Sequence, residues 1–211
     1  MDLNKTKTIL ALGAHPDDVE LGCAGLIARY ADSGAEVYVV IMSKCDDQFD
    51  EPEKETLIGE CRSAANVLGI SETFFYDFPN KELPEHHIEI MDIYNRYQIE
   101  FKPDLLLIPF LDDPHQDHSA VAYSAIRTFR GTETILQYEI LRHGSYTFTP
   151  TLFVDITKYI EKKIDALNCY KSQKKRRAYF DEESFKALAR TRGTQSGYNY
   201  AEGFVIYKMF W

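Results

Sequence analysis

The chain has 211 residues, of which 45% are hydrophobic and 27% charged. This length favours one domain over residues 1–211, and the ordinary charged fraction argues against wholesale disorder. The formal net charge of −9 argues against nucleic-acid binding, which usually needs a basic face, although a local pocket can still bind a small anion.

The first 130 residues alternate between strand-like and helix-like segments. The predicted strands are 8–12, 36–42, 73–78 and 104–108, and the predicted helices are 19–32, 55–68, 85–101 and 119–129. The strands are continuous apolar runs without a period of two, which is typical of strands buried on both faces. The alternation therefore predicts an α/β fold with a mostly parallel sheet covered by helices on both faces.

The pattern loosens after residue 130. Strands are predicted at 135–141, 152–156 and 204–210, and helices at 158–170 and 185–192. The apolar runs are all much shorter than the roughly 20 residues of a membrane span. The sequence opens without a signal-peptide pattern and its four cysteines form no CxxC pair, so we expect a cytoplasmic protein with reduced thiols.

Two loops that follow apolar strands carry most of the candidate chemistry. The loop after the first strand contains Ala14–Asp18, and the loop after the fourth contains Pro109–His118. Together they hold three of the six histidines and five aspartates. Because ligands bind outside the carboxyl ends of parallel strands, we expect the two loops to form one site.

The residue types in these loops predict a catalytic metal site. His15, Asp18 and His118 form a ligand set that suits zinc and leaves one position for water. Asp17 would then accept a proton from that water, and His115 would face the developing oxyanion as an imidazolium. Iron(II) or cobalt could occupy the same ligands.

A purely structural interpretation remains open for each loop. Paired aspartates after a turn often cap a helix, and Asp113 or Asp117 could cap the next one. A nucleotide-binding site is less well supported, since no GxGxxG follows the first strand.

Three further features are weaker candidates for substrate contacts. Arg62 lies in a predicted helix and Glu139 in a predicted strand near the pocket. The basic run Lys171–Arg177 could bind a phosphate or carboxylate. A solvated helix end is the competing interpretation, which we favour for this run.

At these motifs the sequence resembles the PIG-L or LmbE-like deacetylases. The resemblance lies in Ala14–Asp18 with Glu20–Gly25, and in His115–His118. It continues through segments with the same order as in that family: Glu60–Ile70, Phe153–Thr157, Tyr170–Gln173, Arg192–Gly193 and Tyr200–Phe204.

The resemblance implies a Rossmann-like zinc hydrolase that removes the acetyl group from an N-acetylglucosamine-type conjugate. It implies the same roles for the five loop residues, and it adds Asp117 as a residue that orients His15 or His115. Pro114 and Gln116 depart from the pattern of family members that act on a malate conjugate. A malate-linked substrate is therefore less well supported. A zinc amidohydrolase with a non-sugar N-acyl substrate and a non-catalytic binding module are the alternatives.

The expected partner is a small amino-sugar conjugate. We expect neither nucleic acid nor a membrane span. Aromatic residues at Tyr207–Trp211 make a homo-oligomer plausible.

Overall fold

The computed structural model describes residues 6–45, 56–131, 133–142 and 147–209. Seven strands are present in these residues: Thr8–Gly13 (β1), Glu36–Ile41 (β2), Glu72–Phe75 (β3), Leu105–Pro109 (β4), Thr134–Tyr138 (β5), Leu152–Asp155 (β6) and Ala201–Lys208 (β7). Seven α-helices accompany them: Asp18–Asp32 (α1), Thr56–Leu68 (α2), His87–Phe101 (α3), Gln116–Thr128 (α4), Ile160–Leu167 (α5), Lys171–Arg176 (α6) and Glu182–Ser196 (α7). A short 3-10 helix, Leu83–His86, precedes α3.

The strands form one sheet in the order β3-β2-β1-β4-β5-β7-β6. All pairings from β3 to β5 are parallel, whereas β7 is antiparallel to both β5 and β6. This confirms the predicted α/β class with a mostly parallel sheet. Because β1 and β4 are neighbours, the loops that follow them leave the same edge of the sheet.

Both faces of the sheet are buried, which explains why the strands lack alternating polar residues. In β1, Ile9 and Ala11 point into a core shared with α1, α2, α5 and α7. Leu10 and Leu12 point into a second core shared with α3 and α4. A strand between two apolar layers needs apolar residues at every position.

Helix α1 leaves helical geometry at Cys23 (φ −144°, ψ 20°), and a distant carboxylate supports the break. Glu202 of β7 accepts hydrogen bonds from the backbone N–H groups of Gly25 (2.9 Å) and Leu26 (2.7 Å). Its charge is balanced by the buried Lys163 of α5, whose Nζ lies 2.7 Å away. The last strand therefore holds the helix that follows the first motif.

The structure differs from the predicted elements at several ends. Helix α4 begins at Gln116 rather than 119, since the side chain of His115 caps it. The helix predicted over 158–170 is observed as Ile160–Leu167, and the basic run, which we interpreted as a helix end, forms a separate helix, α6. Residues 55 and 210, two of the predicted ends, lie outside the described residues, as does Trp211.

Among the described residues, no helix has the length and hydropathy needed to cross a bilayer.

Candidate metal centre

The two sequence motifs meet at the carboxyl ends of β1 and β4. The ring centroids of His15 and His118 are 5.5 Å apart, and His115 lies 5.0 Å from the first and 4.4 Å from the second. One ring nitrogen of each histidine lies within 4.8 Å of a nitrogen of both others. Three imidazoles from two loops thus converge on one point.

Asp18 lies between two of these histidines. Its Oδ2 accepts the backbone N–H groups of Ala14 (3.0 Å) and His15 (2.8 Å), which fixes the carboxylate. The other oxygen, Oδ1, lies 3.3 Å from Nε2 of His118, and Oδ2 lies 3.5 Å from Nδ1 of His15. Although burial alone would raise it, His118 and His15 hold the pKa of Asp18 well below its ordinary value.

Asp117 holds the far side of His15. Its Oδ2 lies 2.9 Å from Nε2 of His15 and also accepts the backbone N–H of Lys81 (2.6 Å), while Oδ1 accepts that of Leu83 (3.2 Å). Its own backbone N–H donates to Nδ1 of His115 (3.2 Å). Asp117 therefore contacts both histidines that the resemblance named for it, one through its side chain and one through its backbone.

Asp113 lies behind His118 at ion-pair distance, a contact that was not predicted from the sequence. Its Oδ2 lies 3.2 Å from Nδ1 of His118, and its Oδ1 accepts the backbone N–H of His115 (2.8 Å). The proximity of Asp113 to His115 and His118 in the sequence could have indicated this contact, because a carboxylate commonly orients a metal-binding histidine ring. The position of Asp113 in an Asp-Asp-Pro turn made helix capping the simpler interpretation.

The charges of this cluster suit a cation. Burial lowers the pKa of His118, but Asp18 and Asp113 outweigh it and raise that pKa to about 10. Asp117 and Asp18 likewise outweigh burial at His15 and raise its pKa to about 9. In the metal-free protein at pH 7 both rings therefore carry protons that a metal ion would replace.

The separations between Asp18 and two of the histidines suit donors to one metal ion. Ligands at roughly 2.0–2.1 Å from a tetrahedral ion are about 3.3 Å apart; Oδ1 of Asp18 lies 3.3 Å from Nε2 of His118, and Oδ2 lies 3.5 Å from Nδ1 of His15. Each of these histidines also has a carboxylate behind it, which is the usual arrangement for a ligand. In His115 that rear nitrogen is instead occupied by the Asp117 backbone.

Asp17 is held in an uncommon backbone conformation. Its φ of 95° is left-handed, and although it stands at the N-cap of α1 its side chain makes no capping hydrogen bond. A strained residue that does not cap its helix argues against a purely structural role. It is 4% exposed, and burial together with Asp18 raises its pKa to about 8, against the opposing charges of Arg177 and His15.

His115 differs from its neighbours in charge. Burial, with the nearby His118 and His15, lowers its pKa to about 4. At pH 7 the metal-free ring is thus neutral, not the expected imidazolium. Since Nδ1 accepts the Asp117 N–H, the neutral ring carries its proton on Nε2 and can still donate a hydrogen bond.

The centre opens into a cavity of about 630 Å³, a volume that suits a small-molecule ligand. Besides the motif residues, the cavity is lined by four cationic side chains: Lys81, Arg142, Arg176 and Arg177. The last two belong to the basic run Lys171–Arg177 noted in the sequence, whereas neither Lys81 nor Arg142 lies in a motif.

The two other candidate substrate residues do not reach this cavity. Arg62 is exposed on α2, with its guanidinium 5.6 Å from the ring centroid of Phe75. Glu139 is buried, and both of its oxygens accept hydrogen bonds from Arg192, at 2.7 Å each. The structure therefore does not support their predicted use as sugar contacts: Arg62 packs on Phe75, and Glu139 pairs with the half-buried Arg192.

The sequence of the chain is similar to those of known proteins. A family model described as GlcNAc-PI de-N-acetylase (PIG-L) matches residues 10–129, which include both loops. The chain is 32% identical over 182 aligned positions to the uncharacterized deacetylase YaiS of Escherichia coli strain K12, covering 80% of this chain and 93% of that protein. It is 28% identical over 228 positions to the diacetylchitobiose deacetylase of Thermococcus kodakarensis, covering 95% and 83%.

The fold matches as well. The N,N'-diacetylchitobiose deacetylase of Pyrococcus horikoshii, solved with its inhibitor MPG, superposes with a TM-score of 0.82 at 25% identity. The match covers 96% of this chain and 84% of that one.

Proposed function

Because the chain belongs to the PIG-L family of de-N-acetylases, we propose that it is a zinc-dependent hydrolase that removes the N-acetyl group from an N-acetylglucosamine-type conjugate. The observation that carries the proposal is the position of Asp18 within 3.5 Å of both His15 and His118. Each of these histidines has a second carboxylate behind it.

In this proposal His15, Asp18 and His118 hold the metal. A divalent ion held by these residues would lower the pKa of a bound water to about 7 and would polarise the amide carbonyl. Asp117 and Asp113 keep the ligand nitrogens of the two histidines directed at the ion.

In this proposal Asp17 accepts and donates the protons of the reaction. Its carboxylate takes a proton from the attacking water and returns one to the amine nitrogen as the C–N bond breaks. The raised pKa of Asp17 favours the proton-carrying form that the second step needs, and a bound cation would favour the carboxylate that the first step needs. His115 donates from Nε2 to the carbonyl oxygen as negative charge develops on it.

The amino-sugar substrate is supported by the relatives. Two of them are diacetylchitobiose deacetylases by name, and the cavity is large enough for more than the acetamido group alone.

We also propose a cytoplasmic location, since none of the four cysteines forms a disulfide within the described residues. An oligomer through the C-terminal aromatic residues, of which Tyr207 is 45% exposed, remains a proposal.

The test is metal analysis followed by incubation with two substrate panels, with free amine as the readout. One panel contains N-acetylglucosamine conjugates, including diacetylchitobiose, and the other contains N-acetyl amino acids. We expect stoichiometric metal and amine release from the sugar panel only. Release from the amino acids alone would overturn the sugar assignment, and release from neither would overturn the enzymatic role.

The variant Asp17→Asn serves as the matched control. It preserves shape and removes the base, so we expect full metal content with turnover reduced by about 100-fold or more. Near-normal turnover in this variant would show that another group moves the proton.

A further inference from the structure

Helix α1 breaks in its second turn, and a buried ion pair satisfies the backbone groups that the break releases. In an unbroken α-helix the C=O of Leu21 accepts the N–H of Gly25. Here Nζ of Lys163 donates to the C=O of Leu21 (2.8 Å). At the other end of that interrupted bond, Glu202 accepts the N–H of Gly25 (2.9 Å). Lys163 and Glu202 therefore take the places of the two missing helical partners.

The Lys163–Glu202 pair is shielded from solvent. Lys163 is 5% exposed and Glu202 is 4% exposed, with Nζ 2.7 Å from Oε1. The second carboxylate oxygen accepts the N–H of Leu26 (2.7 Å). A buried ion pair is by itself a weak source of stability, since apolar residues of similar volume often replace it without loss. The contacts that the pair makes with the backbone of α1 indicate that it also determines position.

The backbone of Leu21 connects this ion pair to Asp17. Its C=O accepts the hydrogen bond from Lys163, and its N–H donates to the C=O of Asp17 (2.9 Å). Asp17 has a left-handed φ of 95°, a conformation that persists only where the surrounding structure imposes it. Asp18, by contrast, is fixed by two N–H groups of its own loop. We therefore expect Asp17 to depend on the ion pair more strongly than Asp18 does.

The sheet holds the same segment of α1 through a close contact. A Cβ atom on Gly22 would collide with the ring of Tyr138, which belongs to β5. The hydroxyl of Tyr138 in turn donates to the C=O of Leu12 in β1 (2.7 Å). The segment that carries Asp17 is thus held both by the sheet and, through Lys163, by α5.

Resting on the proposed function, in which Asp17 transfers the protons, we propose that Lys163 and Glu202 are positioning residues for Asp17. Neither residue lines the cavity of the metal centre, so both act through the backbone of α1. The ion pair maintains the break, and the break directs the N–H of Leu21 at the C=O of Asp17. That hydrogen bond holds Asp17 in the conformation that places it in the wall of the cavity.

The test replaces both members of the pair by neutral residues of similar size, in the double variant Lys163→Met with Glu202→Gln. This variant leaves no buried charge unpaired, and the new amide keeps an acceptor oxygen for α1. On the sugar panel, which includes diacetylchitobiose, we expect kcat to fall by about tenfold, because a displaced base transfers protons less efficiently. KM and the zinc Kd should change by less than about twofold, since substrate contacts and metal ligands stay in place.

A second ion pair of the chain provides the matched control. Glu139 and Arg192 are in contact at 2.7 Å and lie beside the same small cavity as Lys163 and Glu202, but their mutual hydrogen bonds join β5 to α7 rather than to α1. The double variant Glu139→Gln with Arg192→Met should therefore keep kcat within about twofold of the parent. Denaturant titration of both double variants checks that they are folded under the assay conditions.

Two readouts distinguish positioning of Asp17 from a general loss of structure. In the Asp17→Asn background, removal of the Lys163–Glu202 pair should lower kcat by less than about twofold further, because the base on which it acts is already absent. In the metal-free protein, the amide of Leu21 should exchange with solvent about tenfold faster without the pair, and at the parent rate in the control. The single variant Glu202→Gln repeats both measurements with a smaller perturbation and should shift them in the same direction.

The outcomes separate this inference from the function on which it rests. A loss of kcat that is equally large in the Asp17→Asn background overturns the inference alone. So does an unchanged exchange rate at Leu21 in a folded variant. If the parent protein releases no amine from any amino sugar, the proposed function fails, whereas the exchange rate of Leu21 still tests whether the ion pair holds the segment that carries Asp17.

Discussion

Replacing Asp113 by asparagine should weaken zinc binding and leave the fold intact. The carboxylate lies 3.2 Å from Nδ1 of His118, and its other oxygen accepts the backbone N–H of His115. Asparagine keeps one acceptor for that N–H but removes the negative charge behind the ligand. Losing such a supporting carboxylate typically costs 10- to 100-fold in metal affinity, so we expect the zinc Kd to rise by roughly that factor.

The measurement is a competition titration against a chromophoric zinc chelator at pH 7. Asp112→Asn is the matched control, because Asp112 is the adjacent residue of the same type but is exposed. Thermal unfolding of the metal-free variants checks that both fold alike. A zinc Kd for Asp113→Asn within about twofold of the parent would refute the idea that this carboxylate supports His118.

Three further predictions test other parts of the site. His118→Ala should lose zinc and His115→Ala should keep it, by elemental analysis; the reverse result would exchange their roles. Zinc binding at pH 7 should release protons and tighten as pH rises, because the raised pKa values of both ligand histidines keep them protonated in the metal-free protein. Titrations in buffers of different ionisation enthalpy measure this, and no proton release would contradict it. Glu139→Ala should lower the free energy of unfolding by about 3–5 kcal/mol, because it leaves the half-buried Arg192 without its carboxylate. Denaturant titration measures this change, with Arg62→Ala as the control. A decrease in the free energy of unfolding no larger than that of the control would show that the pair is dispensable.

The convergence of the candidate metal ligands was largely predictable because these residues are local to two strand ends. Apolar runs at 8–12 and 104–108 predicted buried parallel strands, and the loops after them contain His15, Asp18 and His118. What could not be predicted was that these strands are neighbours, which depends on the sheet order. Without that adjacency the two loops would lie too far apart to share an ion.

The parts that sequence reasoning missed depend on long-range pairing. Glu139 and Arg192 are 53 positions apart, so nothing local showed that the carboxylate was already occupied. Arg177 belongs to a basic run that is typical of solvated helix ends. Its place in the cavity follows from the break between α5 and α6, and from Tyr179.

The support that Glu202 gives to the break in α1 has a practical consequence for shortened versions of this protein. Residues 10–129 match the family model and contain every proposed ligand, yet the carboxylate that holds Gly25 and Leu26 comes from β7. A fragment that stops after α4 would leave two buried N–H groups without their acceptor at the helix behind the first motif. Expression of that segment alone should yield an unstable protein. During ribosomal synthesis the enzyme should reach its native fold only after its last strand, β7, has left the ribosome.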